Sequence, residues 1–401
     1  LRSFCLSLYV RAGSIFEDSS NNGISHLFEH VVFRNIKNKY ENFYELLAMH
    51  GLCFQGSTYK KFVSFTIDGP QHEFDFAIEI LCGLFDEIKL TSHDFNNEKG
   101  RIKAEIREKD RRSSLDFYFD SIVWKNSEVE KIVLGYCKTV DRVSVKKINE
   151  FRQKVLSAGN CFVYATGNIS DENLDALNKK ISELDISQSN PGFTNTVTVN
   201  DEFFHREKKI WIKNNYWHYI QIGFDVDCSK YPGGVYDLLY ALLFNGDKAL
   251  VYNYLSEDNP IIYSYDSAFA QYDNVGNINF SFEVVRNKIE DVFKTVVELL
   301  NAAKDGRFNF EANLNYEMFN WELDLDKPSN LNWNMACYNH ILKTEPIDYS
   351  DEFYGRFRVT KKQVTDAAKD IFRRCNMTVA MKGNKKKINT DAIEKILESL
   401  D

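Results

Sequence analysis

The sequence predicts an α+β protein of two homologous domains, each a mixed or antiparallel sheet packed by helices. Three observations predict it. The chain repeats itself at a fixed offset: Arg142, Asn160, Gly167 and Asn168 are matched by Arg358, Asn376, Gly383 and Asn384, each pair 216 residues apart. Self-similarity at one offset marks one structural plan used twice. Strand-like and helix-like runs do not alternate strictly, which argues against a doubly wound parallel sheet. At 401 residues the chain is long enough for two or three domains, each with its own core.

In chain order, Phe4–Val10, Ser64–Ile67 and Cys161–Thr166 have the β-branched and aromatic content of strands, and Ile210–Ile212, Tyr219–Val226 and Ile278–Phe282 repeat it in the second half. Helical periodicity runs through Phe43–His50, His72–Leu84, Asp94–Arg112 and Val145–Leu156, then Ile289–Ala303 and Lys361–Arg373. The polar stretch Ser187–Asp201 marks the junction. This gives domains over residues 1–190 and 205–401, with a linker at 191–204.

Composition removes several function classes. The 50 Lys and Arg against 58 Asp and Glu give a net charge of −8, so no broad basic surface is available for nucleic acid. Hydrophobic residues at 44% and charged residues at 27% are those of a folded protein. The longest apolar stretches, Ala77–Phe85 and Val235–Phe244, carry Glu79 or Asp237. Each is about half the roughly 20 residues needed to span a bilayer, so no membrane span is expected. The 8 cysteines are scattered singly, with no CxxC pair. They read as reduced thiols, which points to a reducing, cytoplasmic compartment.

The chemistry is concentrated in Asn21-Asn-Gly-Ile-Ser25 and the His26-Leu-Phe-Glu-His30 that follows. The turn and Ser25 as N-cap predict a helix start. Ile24, Leu27, Phe28, Val31 and Val32 fall on one helical face, and His26, Glu29 and His30 share the opposite one. Two imidazoles at i and i+4 can hold one metal, with a carboxylate beside them near a metal-bound water. A third ligand must come from elsewhere. The helix over Asp94–Arg112 offers Glu98 and Glu105, two turns apart on one face, with Glu108 close to that stripe. Periodicity does not choose among the three. The remaining histidines (50, 72, 93, 205, 218 and 340) have no ligand spacing and read as surface or packing residues.

The motif set taken together, Ala12-Gly-Ser14, Glu17, Gly23-Ile-Ser-His26-Leu-Phe-Glu-His30-Val-Val-Phe-Arg34, Glu98, Glu105-Ile106 and Leu134-Gly135, resembles the M16 (pitrilysin, or mitochondrial-processing-peptidase-like) zinc metallopeptidases. The similarity runs on through Val143–Asn168 and the repeated second half. It implies the LuxS/MPP-like metallohydrolase fold, in the size of the smaller two-repeat subunits. Relative to the family pattern, about one strand is missing ahead of Leu1. The resemblance makes His26, His30 and Glu105 the ligands of one Zn2+ per chain and Glu29 the general base. Glu98 falls on the family's second, supporting glutamate. The activity implied is cleavage of short unfolded peptides, as in leader or precursor processing. The partner implied is a second M16-like subunit in a heterodimer, or a second copy in a homodimer. The alternative is a non-catalytic scaffold or regulatory subunit of the same fold.

Two departures stand out. Where active members read G-x-x-x-N-A-x-T along a substrate-pairing edge strand, this chain has Gly51-Leu-Cys-Phe-Gln55-Gly-Ser-Thr58, with Gln55 in the Asn position. Gln55 is either an altered peptide contact or an ordinary strand-edge residue. In the second half, Leu255-Ser256-Glu-Asp-Asn-Pro-Ile-Ile-Tyr263-Ser264 keeps the family's Tyr as Tyr263 but has Ser256 where Arg is expected. A guanidinium's bidentate recognition has no substitute in Ser, so a partner chain is expected to supply the Arg/Tyr pair. Tyr263 reads either as a substrate contact or as a core aromatic.

Overall fold

The structure, a computed structural model, describes residues 2–109, 114–188, 203–336 and 357–400, with 192, 193, 197, 199 and 355 besides. Most of the linker, Cys337 and His340 therefore lie outside the described residues. The strands are β1 (Ser3–Arg11), β2 (Cys53–Thr58), β3 (Phe62–Pro70), β4 (Cys161–Gly167), β5 (Ile210–Asn214), β6 (Tyr219–Asp227), β7 (Tyr265–Tyr272), β8 (Val275–Glu283) and β9 (Met377–Gly383). The helices of the first half are α1 (Ile24–Lys37), α2 (Phe43–Met49), α3 (Phe74–Gly83), α4 (Ser92–Glu108), α5 (Leu115–Val123), α6 (Cys137–Asp141), α7 (Val145–Val155) and α8 (Asp171–Ser182). Those of the second are α9 (Gly233–Phe244), α10 (Leu250–Tyr252), α11 (Ile289–Lys304), α12 (Phe310–Leu325), α13 (Pro328–Ala336), α14 (Lys361–Ile371) and α15 (Thr390–Leu397).

The chain is α+β and folds as two compact units, each discontinuous in sequence. The first takes Leu1–Asp110, Glu128–Asn195 and Glu322–Pro346; the second takes Arg111–Ser127, Thr196–Trp321 and Ile347–Asp401. In the first unit the sheet order is β2-β3-β1-β4, every neighbour antiparallel. In the second the order is β5-β9-β6-β8-β7, with β5 parallel to β9 and the other pairs antiparallel. Each unit has its own apolar core. That of the first joins Leu6, Leu8, Phe28, Val31 and Phe65, and that of the second joins Ile222, Phe224, Leu239, Phe293 and Phe372.

The repeat seen in sequence is kept in three dimensions. β1 and β6, α7 and α14, and β4 and β9 begin and end 216 residues apart. Ser144 and Thr360 cap their helices through Lys147 N–H and Gln363 N–H. Asn160 donates to Val155 O and Arg11 O, and Asn376 donates to Ile371 O and Asp225 O. One amide in each unit thus satisfies a carbonyl at a helix C-terminus, where carbonyls lack intrahelical partners.

Several helices, among them α5, α8, α12, α13 and α15, were not read from the sequence, and three further differences have a clear cause. β7 was not legible because Tyr-Asp-Ser-Ala-Phe-Ala-Gln-Tyr contains no β-branched residue; pairing along β8 makes it a strand. α9 is apolar but for Asp237, with nine of its residues buried, so its amphipathic period is weak. The N-cap of α1 is Gly23, not Ser25, for a reason given below. No described helix is long and apolar enough to cross a membrane.

Candidate metal centre

The start of α1 is fixed from three sides. Gly23 sits at φ 98°, and a Cβ on it would stand 2.9 Å from Gly135 Cα. Only glycine takes that backbone and that approach together. Asn22 donates to Ile132 O at 2.9 Å. The buried Glu17 carboxylate accepts from Gly23 N–H at 2.7 Å, Ser25 N–H at 2.8 Å and Asn22 Nδ2 at 2.7 Å. Glu17 therefore does what a capping side chain does, from outside the helix. Ser25 lies within the first turn, where its hydroxyl accepts from Gly13 N–H.

Leu27, Phe28 and Val31 are fully buried in the core. That orientation turns His26, Glu29 and His30 toward α4 and β2. α4 begins where the Thr91 hydroxyl accepts from Asp94 N–H, and Ile102, fully buried between Glu98 and Glu105, anchors it. An ion pair of 2.7 Å between Arg34 and Asp94 ties α1 to α4, and Lys99 donates to Asp141 O at 2.9 Å on α6.

The sequence-expected residues converge as follows. One ligand atom each from His26, His30 and Glu105 lies within 4.8 Å of the others, the group among the described residues that could hold a metal ion. His26 Nε2 is 3.6 Å from Glu105 Oε2, and the two imidazoles are nearly perpendicular with centroids 4.7 Å apart. A separation of 3.6 Å is too long for a hydrogen bond. It is close to the ~3.4 Å between neighbouring donors of a tetrahedral site with ~2.1 Å bonds. His26 Nδ1 is buried without a hydrogen-bond partner, so this imidazole is poorly satisfied by the protein alone. The donor set and its spacing fit a zinc ion.

Electrostatics prepare His26 for ligation and hold His30 toward its protonated form while no cation is bound. Burial, then the neighbouring His30, pushes the His26 imidazole down to about 4, so it is neutral and free to ligate near pH 7. Burial works to lower His30 as well, but the adjacent Glu98 and the carboxylates of Glu29 and Glu105 outweigh it and raise His30. Glu98 is 2% exposed, with Oε2 3.6 Å from His30 Nδ1. It stands behind a ligand imidazole, in the place from which a carboxylate orients it. Glu108 is exposed and outside this group. Glu29 accepts from the Thr58 hydroxyl at 3.0 Å, and a Cβ on Gly56 would come within 2.7 Å of its other oxygen. Burial raises its carboxyl above the ordinary range, against the lowering pull of His30 and Thr58.

The other expected site residues lie elsewhere. Gln55 is exposed on β2 and donates to Cys53 Sγ at 3.2 Å. Side chains alternate along a strand, so Gln55 points to the opposite face from Gly56 and Thr58, which meet Glu29. Tyr263, in the second unit, is 98% exposed and is no core aromatic. Ser256 sits in the π-helical turn Asn253–Glu257. Sequence reading gave no role to Arg34, Asp94 or Glu17. Arg34 is four residues after His30 and Asp94 four before Glu98, so the helical spacing was the signal available.

The sequence profile of insulinase (peptidase family M16) matches residues 2–135, and that of the peptidase M16 inactive domain matches residues 142–312. The uncharacterised zinc protease YmxG of Bacillus subtilis is 20% identical over 76% of this chain and 74% of its own length. Human mitochondrial-processing peptidase subunit beta is 23% identical over 44% of this chain, and the Arabidopsis thaliana zinc protease PQQL-like protein is 27% identical over 41%. The matched segment spans 37% and 18% of the length of those two relatives, respectively. The mouse cytochrome b-c1 complex subunit 1 is 21% identical over 50% of the chain and 44% of its own. Among solved structures, a protease from Helicobacter pylori superposes with a TM-score of 0.80 at 17% identity, covering 96% of this chain and 94% of the other. Two consecutive family profiles covering most of the sequence, over a fold shared with that protease, place the chain in peptidase family M16.

Proposed function

We propose that the chain is a zinc-dependent endopeptidase subunit that cuts short, unfolded peptides, with leader or precursor processing beside a second subunit as its setting. The observation that carries this reading is the convergence of His26, His30 and Glu105 within 4.8 Å, with the Glu29 carboxylate held beside them by Thr58. Two imidazoles and a carboxylate form the donor set of catalytic zinc sites that leave a position for water. A zinc ion held there would supply Lewis acidity, acidifying water and polarising a scissile carbonyl.

The protein's own part falls to Glu29 and β2. With Oε2 anchored by Thr58, Oε1 is free to take a proton from water and pass it to the leaving amine. A buried environment that favours the neutral carboxyl suits a group that must hold that proton between the two transfers. β2 is the outer strand of its sheet, bonded to β3 alone. An extended peptide can add to that edge through main-chain hydrogen bonds, a mode closed to folded substrates. Gln55 on that edge and exposed Tyr263 are the side chains offered to a peptide or partner.

A second reading, a non-catalytic subunit, is favoured by the inactive-domain profile over residues 142–312 and by the cytochrome b-c1 relative. Zinc content and turnover separate the two. In a quenched fluorescent peptide library, the zinc-loaded chain should cleave, and Glu29→Gln should keep its zinc but lose turnover. His26→Ala and Glu105→Gln should lose zinc affinity. Normal cleavage by Glu29→Gln would refute the mechanism, and failure of the chain to bind zinc would favour the scaffold. Silence from a zinc-loaded chain would place the missing group on a partner subunit.

A further inference from the structure

We propose that the cleft beside Glu29 and His30 is a subsite for a carboxylate of the bound peptide, so that the chain selects an acidic residue near the bond it cuts. The proposal rests on the peptidase reading above. The cleft encloses about 220 Å³, the volume of roughly seven liquid waters, which suits one side chain.

Its lining carries three cations, Arg34, Lys37 and Arg101, against two carboxylates, Glu29 and Glu98. Glu98 is offset by cations, within 4 Å of His30 and both guanidiniums, and Glu29 holds the Thr58 hydroxyl through one oxygen and keeps the other for proton transfer. Arg34 is committed to Asp94 at 2.7 Å. That leaves Lys37 and Arg101 as the open charges. The Lys37 ammonium stands 4.5 Å over the Tyr44 ring and has no carboxylate within ion-pair distance among the described residues. Arg101 has a side chain 61% exposed, and its contact to Glu98 is a long 3.7 Å. The remaining lining is aromatic, from Tyr44 and from Phe33, which stacks on Phe54 at 4.6 Å. An incoming carboxylate can pair with Lys37 and with the open edge of Arg101 while its methylenes rest on the rings. An incoming lysine meets like charge.

The test is binding as well as turnover. Fluorescence anisotropy on zinc-loaded Glu29→Gln would use labelled, C-terminally amidated decapeptides in which one glutamate is walked along a neutral sequence, with glutamine and lysine counterparts. The expected result is one register at which Glu binds on the order of tenfold tighter than Gln, with Lys weakest. Lys37→Glu should reverse that order. Equal affinities for Glu, Gln and Lys at every register would overturn the proposal, as would a preference unchanged in Lys37→Glu. A free-acid Gln peptide that matches the best Glu peptide would assign the pocket to a chain-terminal carboxylate and overturn the selection of an acidic residue. Absence of cleavage by the wild-type chain would count against the peptidase reading, while the anisotropy still decides the cleft.

Discussion

Replacing Gly135 with Ala tests whether the loop before α6 holds the metal-bearing helix in place. Gly135 is buried at φ 67°, and an added Cβ would lie 2.3 Å from Asn22 O and 2.5 Å from Gly23 Cα. Ordinary van der Waals contact begins near 3.4 Å, so backbone on one side must retreat by about an ångström. The obstructing atoms are main chain at the first turn of α1, not the end of a flexible side chain. Left-handed backbone costs a non-glycine residue about 1–2 kcal/mol, and forced overpacking adds about 1–3 kcal/mol. The expected loss is therefore about 2–5 kcal/mol, a fall of roughly 5–15 °C in Tm for a unit of this size. Because His26 is only three residues beyond Gly23, retreat of that turn should also weaken zinc binding about tenfold or more, as loss of outer support does at zinc sites. The internal control is Gly100→Ala on α4. Gly100 is exposed in mid-helix with nothing within 4 Å of its added Cβ, so the same chemical change should stabilise by up to about 1 kcal/mol. Calorimetry and competition with a chromogenic zinc chelator read both effects. A Gly135→Ala protein that loses less than about 1 kcal/mol and keeps its zinc affinity would show that the Gly23–Gly135 contact does not position α1.

Three further outcomes are expected. Thr58→Val removes the hydroxyl that fixes Glu29 Oε2, and should lower kcat about tenfold with zinc content unchanged, while Thr58→Ser restores most of it. Asn332 on α13 is fully buried, donating to Cys5 O and Tyr164 O and accepting from Tyr9. Its replacement by Ala should cost about 2–4 kcal/mol in denaturant unfolding, and a loss within 0.5 kcal/mol, roughly that of a surface site, would discount this network. Zinc at a hundredfold excess over its Kd should stabilise the first unit by about 2.7 kcal/mol, since the ligands come from two helices and are not assembled when unfolded. A chelator should reverse it, and a Tm indifferent to both would argue against a metal spanning α1 and α4.

The duplicated α+β plan was legible because it is written in local terms. Caps, turn amides and strand runs recur at 216 residues, and the structure places β1 and β6, α7 and α14, and β4 and β9 at that same interval. The motif His26-Leu-Phe-Glu-His30 was legible for the same reason, since residues one helical turn apart share a face wherever the helix is placed. Local order ended where partners came from afar. Helical spacing left Glu98, Glu105 and Glu108 equivalent; the packing of α4 on α1 sets Glu105 against His26, Glu98 against His30, and leaves Glu108 exposed. The cap of α1 belongs to Glu17 because a buried turn brings its carboxylate over three donors that Ser25 cannot reach. β7 exists through its ladder with β8, and Lys37 of α1 and Arg101 of α4 line one cleft because those two helices pack together. Sequence by itself determined the plan, its duplication and the residues able to hold a metal. Which of those residues meet was decided by tertiary packing, because distance in the chain sets no distance in space once helices and sheet edges have been brought together.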